Sequence, residues 1–206
     1  DKANPQAEGE EVLSRLCKSK GTAAFLARKL CLWFVNDEPS TAMVGRVAKV
    51  FHETGGDFPK VIRAIVDDPE FFARSNFRSK FKRPWEFIVS ALRVTHADAN
   101  RLHPLEQYLS SMNEPLYRCS DPTGYYDQAE AWCHPGAMAT RWAFASDLAQ
   151  GKIGGVKISP AFYRDLPAGK PHEWKDALVK KILPVGGLGR STSSNIDRLI
   201  DEELKK

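Results

Sequence analysis

The 206-residue chain is short of several things, and each shortage closes off a class of protein. Cysteine is scarce: only Cys17, Cys31, Cys119 and Cys133 occur, too few for a disulfide scaffold. No two of them stand at C-x-x-C spacing, so no zinc-ligand pattern is present and no metal site is expected. Cys133-His134 fails as a haem attachment because position 130 is Glu. No stretch nears the ~18 consecutive apolar residues of a transmembrane span. Charge of one sign is also lacking: 30 Lys and Arg face 26 Asp and Glu, a net +4. That balance falls short of the clustered basic surface of a nucleic-acid binder. There is no repeat at a fixed period. Gly186-Gly187-Leu188-Gly189 precedes a helical pattern but lacks the lysine and the leading strand of a P-loop, so no cofactor is expected.

What is present is enough apolar material for a core. Hydrophobic residues make up 42% and aromatics 10%, with five Trp and eleven Phe, so wholesale disorder is excluded. The chain reads as helix after helix. Val12, Leu13 and Leu16 mark a first amphipathic segment from Glu10 to Cys17. Thr22 is a candidate cap for the next, in which only Arg28 and Lys29 are clearly polar; that helix is expected to be central. Ser40 and Asp57 are candidate caps for two more, and Gly55-Gly56 separates them. Asp68-Pro69-Glu70 reads as a short helical turn.

Arg74 to Arg83 is a basic connector carrying Phe77 and Phe81. Cations interleaved with aromatics suit single-stranded nucleic acid. The near balance of charge elsewhere favours a surface loop whose two Phe anchor it. Helices are then expected from Pro84, from about Pro104 and from Pro135, with Gly151, Gly154 and Gly155 ending the last. The tail holds a helix over Trp174 to Leu183 and another capped by Ser191 or Ser194. No strand passes the alternation test. The expected fold is all-α, an irregular bundle of roughly eight helices with one long ordered loop. Residues 1–150 form the expected helical core, and 151–206 a helical extension or subdomain.

The long segment from Asn113 to Ala131 has no helical period, and loops of this length are often functional. Within it and just beyond lie Asp121, Tyr125, Tyr126, Asp127, Glu130, Trp132 and His134. The carboxylates are candidates for acid/base work on a glycosidic bond, or for oxygen ligation, though the calcium-loop pattern is missing. The aromatic rings suit a sugar face, and His134 is a candidate proton carrier. The plainer account is an Ω-like loop pinned by its aromatics, with Trp132 plugging the core. Arg141 lies in an apolar helical pattern and is expected to pair with Asp121, Asp127 or Glu130. Glu86 has the same double reading, with Arg28 or Lys29 as partner. Cys119 and Cys133 flank the loop and are a candidate disulfide.

Three blocks make the chain recognisable. They are Thr22-Ala-Ala-Phe-Leu-Ala-Arg-Lys-Leu-Cys31, Lys82-Arg-Pro-Trp-Glu-Phe-Ile-Val-Ser-Ala-Leu-Arg93, and Pro122-Thr-Gly-Tyr125 followed by Ala131-Trp132, Pro135-Gly136 and Arg141. In this order and spacing they resemble the bacterial family catalogued as domain of unknown function 1800. The likeness runs from about Gly9 to Leu148. A His-Pro pair common in the family is replaced by Ser19-Lys20-Gly21. The resemblance implies the C-terminal half of a longer, exported protein of the cell envelope, periplasmic or extracellular. It also implies a sulfatase-like envelope protein as partner, and no established activity. The chain begins with Asp1, so it reads as an excised piece whose own first residues are silent on compartment. The resulting expectation is a helical envelope module that binds or scaffolds another envelope protein or a polysaccharide. An envelope hydrolase with its site in the 119–134 loop is the alternative.

Overall fold

Helix starts follow local capping chemistry. The computed structural model describes residues 4–164, 166–167, 171–183 and 185–205. The first helix, α1 (Pro5–Cys17), begins earlier than its apolar pattern, because Pro5 fits the first turn and Asn4 caps Ala7 N–H at 3.3 Å. The cap of α2 (Lys20–Phe34) is Ser19 rather than Thr22: its backbone is extended and its hydroxyl accepts from Gly21 N–H. Ser40 and Asp57 do cap α3 (Thr41–Glu53) and α4 (Phe58–Val66). Gly56, at φ 84°, closes α3 where an added Cβ would meet the Phe51 ring at 3.2 Å. Asp68-Pro69-Glu70 forms a turn rather than a helix, because the Asp68 and Glu70 carboxylates are drawn to Arg46 of α3. Arg46 holds the Asp68 carboxyl below the usual range, and hydrogen bonds from Ser40 and then Arg46 do the same for Glu70.

Ten α-helices occur among the described residues. The remaining six are α5 (Pro84–Val94), α6 (His103–Ser111), α7 (Pro135–Ala149), α8 (Pro160–Tyr163), α9 (Pro171–Ile182) and α10 (Arg190–Glu203). The all-α expectation holds. The one strand pair, β1 (Asp98–Ala99) against β2 (Val156–Lys157), is two residues long, too short to leave an alternating signal. Gly155 carries this corner at φ 77°, where a Cβ would strike Arg101 at 2.6 Å.

The helices gather into two compact units. Unit one takes the described residues up to Arg83 together with Thr123–His134. Unit two takes Pro84–Pro122 and the described residues from Pro135 onward. This division differs from the expected boundary near Gly151. The β1–β2 ladder explains why: it ties residues just beyond Gly151 to the segment before α6.

In unit one α2 packs on α3 and α4, the central place that its two apolar faces demand. Ala23, Ala27, Cys31, Met43, Val47, Phe51, Val61 and Ile65 form the core. Each large side chain buried there contributes about 1.5–3 kcal/mol. The apolar residues of α1 take no part: Val12, Leu13 and Leu16 are exposed.

Unit two is built around Ile88, Leu105, Leu109, Met112, Phe144 and Leu148. Phe144 meets Phe87 and Tyr108 edge-on at 5.7 and 5.2 Å. Buried Glu114 accepts a hydrogen bond from Trp85 N–H at 2.8 Å and so caps the start of α5. Tyr108 donates to Asp147 at 2.5 Å, and burial with that neighbour pushes the phenol up to about 12.

The α9–α10 pair is held differently, since neither helix buries a residue. Gly189 rather than Ser191 or Ser194 stands at the cap position of α10. Lys175 of α9 reaches both Asp197 oxygens at 2.6 and 2.8 Å, and Ser193 at 3.1 Å. His172 bridges Asp197 at 3.2 Å and Asp201 at 3.0 Å. These carboxylates raise the imidazole above its usual 6.5, and Lys175 with His172 lowers Asp197. The His172 contribution is complete below 6.5 and is lost as pH rises through the raised value. The Asp197 contribution is complete above the ordinary carboxylate range and is lost as pH falls through the lowered value. Amide exchange, corrected for intrinsic rates, should therefore show α9 and α10 best protected in mildly acidic solution. His172→Ala should abolish the loss of protection on the alkaline side; a variant with the wild-type profile would exclude the bridge.

Candidate functional site

The loop from Thr123 to His134 lies wholly in unit one. It has little regular structure, one 3-10 turn over Ala129–Ala131, and so must be held by side chains. Trp132 is the first anchor. It is buried, its indole N–H donates to Tyr126 O at 2.9 Å, and its ring meets Tyr125 at 6.0 Å. Trp132 is buried as expected, though it belongs to neither of the two apolar clusters.

Asp127 is the second anchor. Its half-buried carboxylate receives Arg83 at 3.2 Å, with Lys29 of α2 at 3.8 Å. Lys80 donates to the Asp127 carbonyl at 3.1 Å and pairs with Asp37 at 2.5 Å. The other Asp37 oxygen accepts from Ala129 N–H at 2.6 Å. Arg83 also lies 5.3 Å over the Trp33 ring. Lys80 and Arg83 of the basic connector thus face the loop. Of the two connector phenylalanines, Phe81 is half-buried and Phe77 is exposed, so only Phe81 suits an anchor.

Where the loop passes α2 it leaves a shallow cleft of about 190 Å³. Its α2 wall is Phe25, Arg28, Lys29 and Leu32, one stripe at i, i+3, i+4 and i+7. Its loop wall includes Thr123, Tyr125, Tyr126 and Asp127. Phe25 and Tyr126 are about two-thirds exposed, at 62% and 65%. Arg28 is exposed and has no ion-pair partner among the described residues. Of the charged residues that line the cleft, Lys29 lies 3.8 Å from Asp127, and Arg28 leaves the lining with one net positive charge.

Of the eight candidate residues, Tyr125, Tyr126 and Asp127 line this cleft, and Trp132 supports it from below through Tyr126. Glu130 is exposed outside the cleft lining, and His134 is half-buried outside it. Asp121 and Arg141 belong to unit two. There Arg141 is buried with its guanidinium 4.9 Å over the Phe87 ring, a contact worth about 0.5–2 kcal/mol. Lys29, one of the two expected partners of Glu86, lies 3.8 Å from Asp127. Cys119 and Cys133 are both free thiols, so the candidate disulfide is not formed. Cys31 is buried, and burial pushes its thiol up to about 11. No group of three His, Cys, Asp or Glu suited to a metal ion occurs among the described residues. None of their helices is long and apolar enough to cross a membrane.

A family model described as "Protein of unknown function (DUF1800)" matches residues 2–206. The chain belongs to this family. The match extends beyond Leu148 through the tail, further than the three sequence blocks reach. No curated protein and no solved structure matches the chain.

Arg28 and Asp37 were not candidates from sequence. Arg28 belongs to an ordinary amphipathic stripe, and Asp37 to a helix-stopping Asn-Asp-Glu-Pro turn. Asp127→Ala should lower stability by about 1–3 kcal/mol in urea unfolding, since it strips a half-buried hydrogen-bonded charge of its partners. Combined with Asp37→Ala the losses should be non-additive, because both carboxylates fix the same stretch of loop. Simple additivity would mean that the two carboxylates act independently. In thiol titration of the native protein Cys17 and Cys133 should react first, with Cys31 silent until unfolding. Early labelling of Cys31 would contradict its burial.

Proposed function

We propose that the chain is a binding module for an anionic polysaccharide, and that the α2–loop cleft holds part of the polymer. The observation that carries this reading is Arg28: an exposed guanidinium with no ion-pair partner among the described residues, in a cleft that the exposed rings of Phe25 and Tyr126 also line. Sugar rings stack on aromatic faces, and a uronic carboxylate matches the guanidinium fork. Thr123 and Gln128 add hydroxyl and amide groups to the lining. A cleft of this size takes a segment of an extended chain better than it encloses a small molecule.

Hydrolysis has less support. Glycosidic acid/base work needs two carboxylates flanking one bond. Only Asp127 of the three candidate acids lines the cleft, and Arg83 and Lys29 already neutralise it. We place the binding in the bacterial envelope, as the family resemblance implies for an exported protein. A sulfatase-like envelope protein is the partner that the same resemblance implies.

The test is electrophoresis in native gels cast with and without polygalacturonate. The wild-type protein should be retarded by the polymer, less so as salt rises. Arg28→Ala with Tyr126→Ala should weaken binding by about tenfold or more. Equal mobility with and without polymer, or a double variant that binds like the wild type, would remove the reading.

A further inference from the structure

Unit two carries a polar trough that none of the preceding assignments uses. Glu106, Gln107, Ser110 and Ser111 of α6 line a cavity of about 590 Å³ with Leu116 and Arg118. A second cavity of about 410 Å³ shares Gln107 and Ser111 and adds Tyr108 and Lys152. Both volumes fall in the ~300–1,000 Å³ range of ligand sites. The two share Gln107 and Ser111, so they lie side by side on the two flanks of that α6 ridge.

Tyr117 lies in the chain between Leu116 and Arg118, which both line the larger cavity. Arg118 N–H donates to Pro115 O at 3.3 Å, closing a four-residue turn with Tyr117 third. Tyr117 has φ 59°, a left-handed conformation that this turn position ordinarily gives to Gly or Asn. A bulky side chain there is strained. Nor does packing explain the residue, because Tyr117 is fully exposed, at 103%. The backbone carries strain to hold in water a ring that stabilises nothing in the fold. Arg118 and Lys152 are exposed cations with no ion-pair partner among the described residues.

We infer that Tyr117 is the stacking platform of a second polysaccharide-binding station, in which Arg118 and Lys152 take carboxylates and Gln107 and Ser111 take hydroxyls. The inference rests on the proposed ligand class but on none of the residues of the α2 cleft. Aromatic platforms of this kind accept a ring by its face, and the amide and hydroxyl groups beside them fix its edge.

The decisive variants are Tyr117→Gly and Tyr117→Trp, studied by polygalacturonate gels and by urea unfolding. Gly relieves the strained φ, so Tyr117→Gly should unfold at the same or a higher urea concentration while binding about tenfold more weakly. Tyr117→Trp should keep wild-type affinity, because it keeps a stacking face. Wild-type binding by Tyr117→Gly would overturn the inference, as would equal losses in the Gly and Trp variants. Loss confined to the Arg28/Tyr126 double variant would leave the α2 cleft as the sole station. Loss confined to Tyr117→Gly would instead retain this station and remove the α2 cleft. If the polymer does not retard the wild type at all, both fall.

Discussion

The loop from Thr123 to His134 has no apolar period with which to bury itself, so unit one depends on a short chain of paired charges to keep it in place. Asp37 lies in the turn after α2, and Asp127 lies in the loop. Lys80 ties the two together by pairing with the first carboxylate and donating to the second residue's carbonyl. Arg83 then fixes the Asp127 carboxylate while lying over Trp33. These groups are partly screened from water, which makes their hydrogen bonds worth more than those of a surface pair. Once the backbone is held, Trp132 and Tyr125 can pack, and the loop has a fixed edge to offer α2.

That arrangement decides the character of the cleft. Within the cleft lining Lys29 and Asp127 offset each other, and Arg28, which has no ion-pair partner among the described residues, supplies the remaining positive charge. The acids seen in the sequence are either spent on structure, as Asp127 is, or placed outside the lining, as Glu130 is.

Unit two solves its polar problems in another way. Buried Glu114 caps a helix start, and buried Arg141 lies on an aromatic face. The α9–α10 pair lacks a buried core and relies on a lysine and a histidine between aspartates. Such pairing is more sensitive to pH than the packed helices are, because little apolar burial stands behind it.

The helical class, the starts at Pro84 and Pro135, the caps at Ser40 and Asp57, and the burial of Trp132 were legible in the sequence. These are local matters: a side chain acts on its own backbone within a turn, or a large ring seeks burial wherever it falls. Only the tertiary structure decided that Asp127 meets Lys29 and Arg83, that Asp37 reaches Ala129, and that Cys119 and Cys133 do not join. Those outcomes join or separate residues far apart in the chain, and no local period or spacing encodes them. The stripe of Phe25, Arg28, Lys29 and Leu32 shows the difference most clearly. Its helical spacing was visible from the sequence, but its use depends on which segment packs beside it.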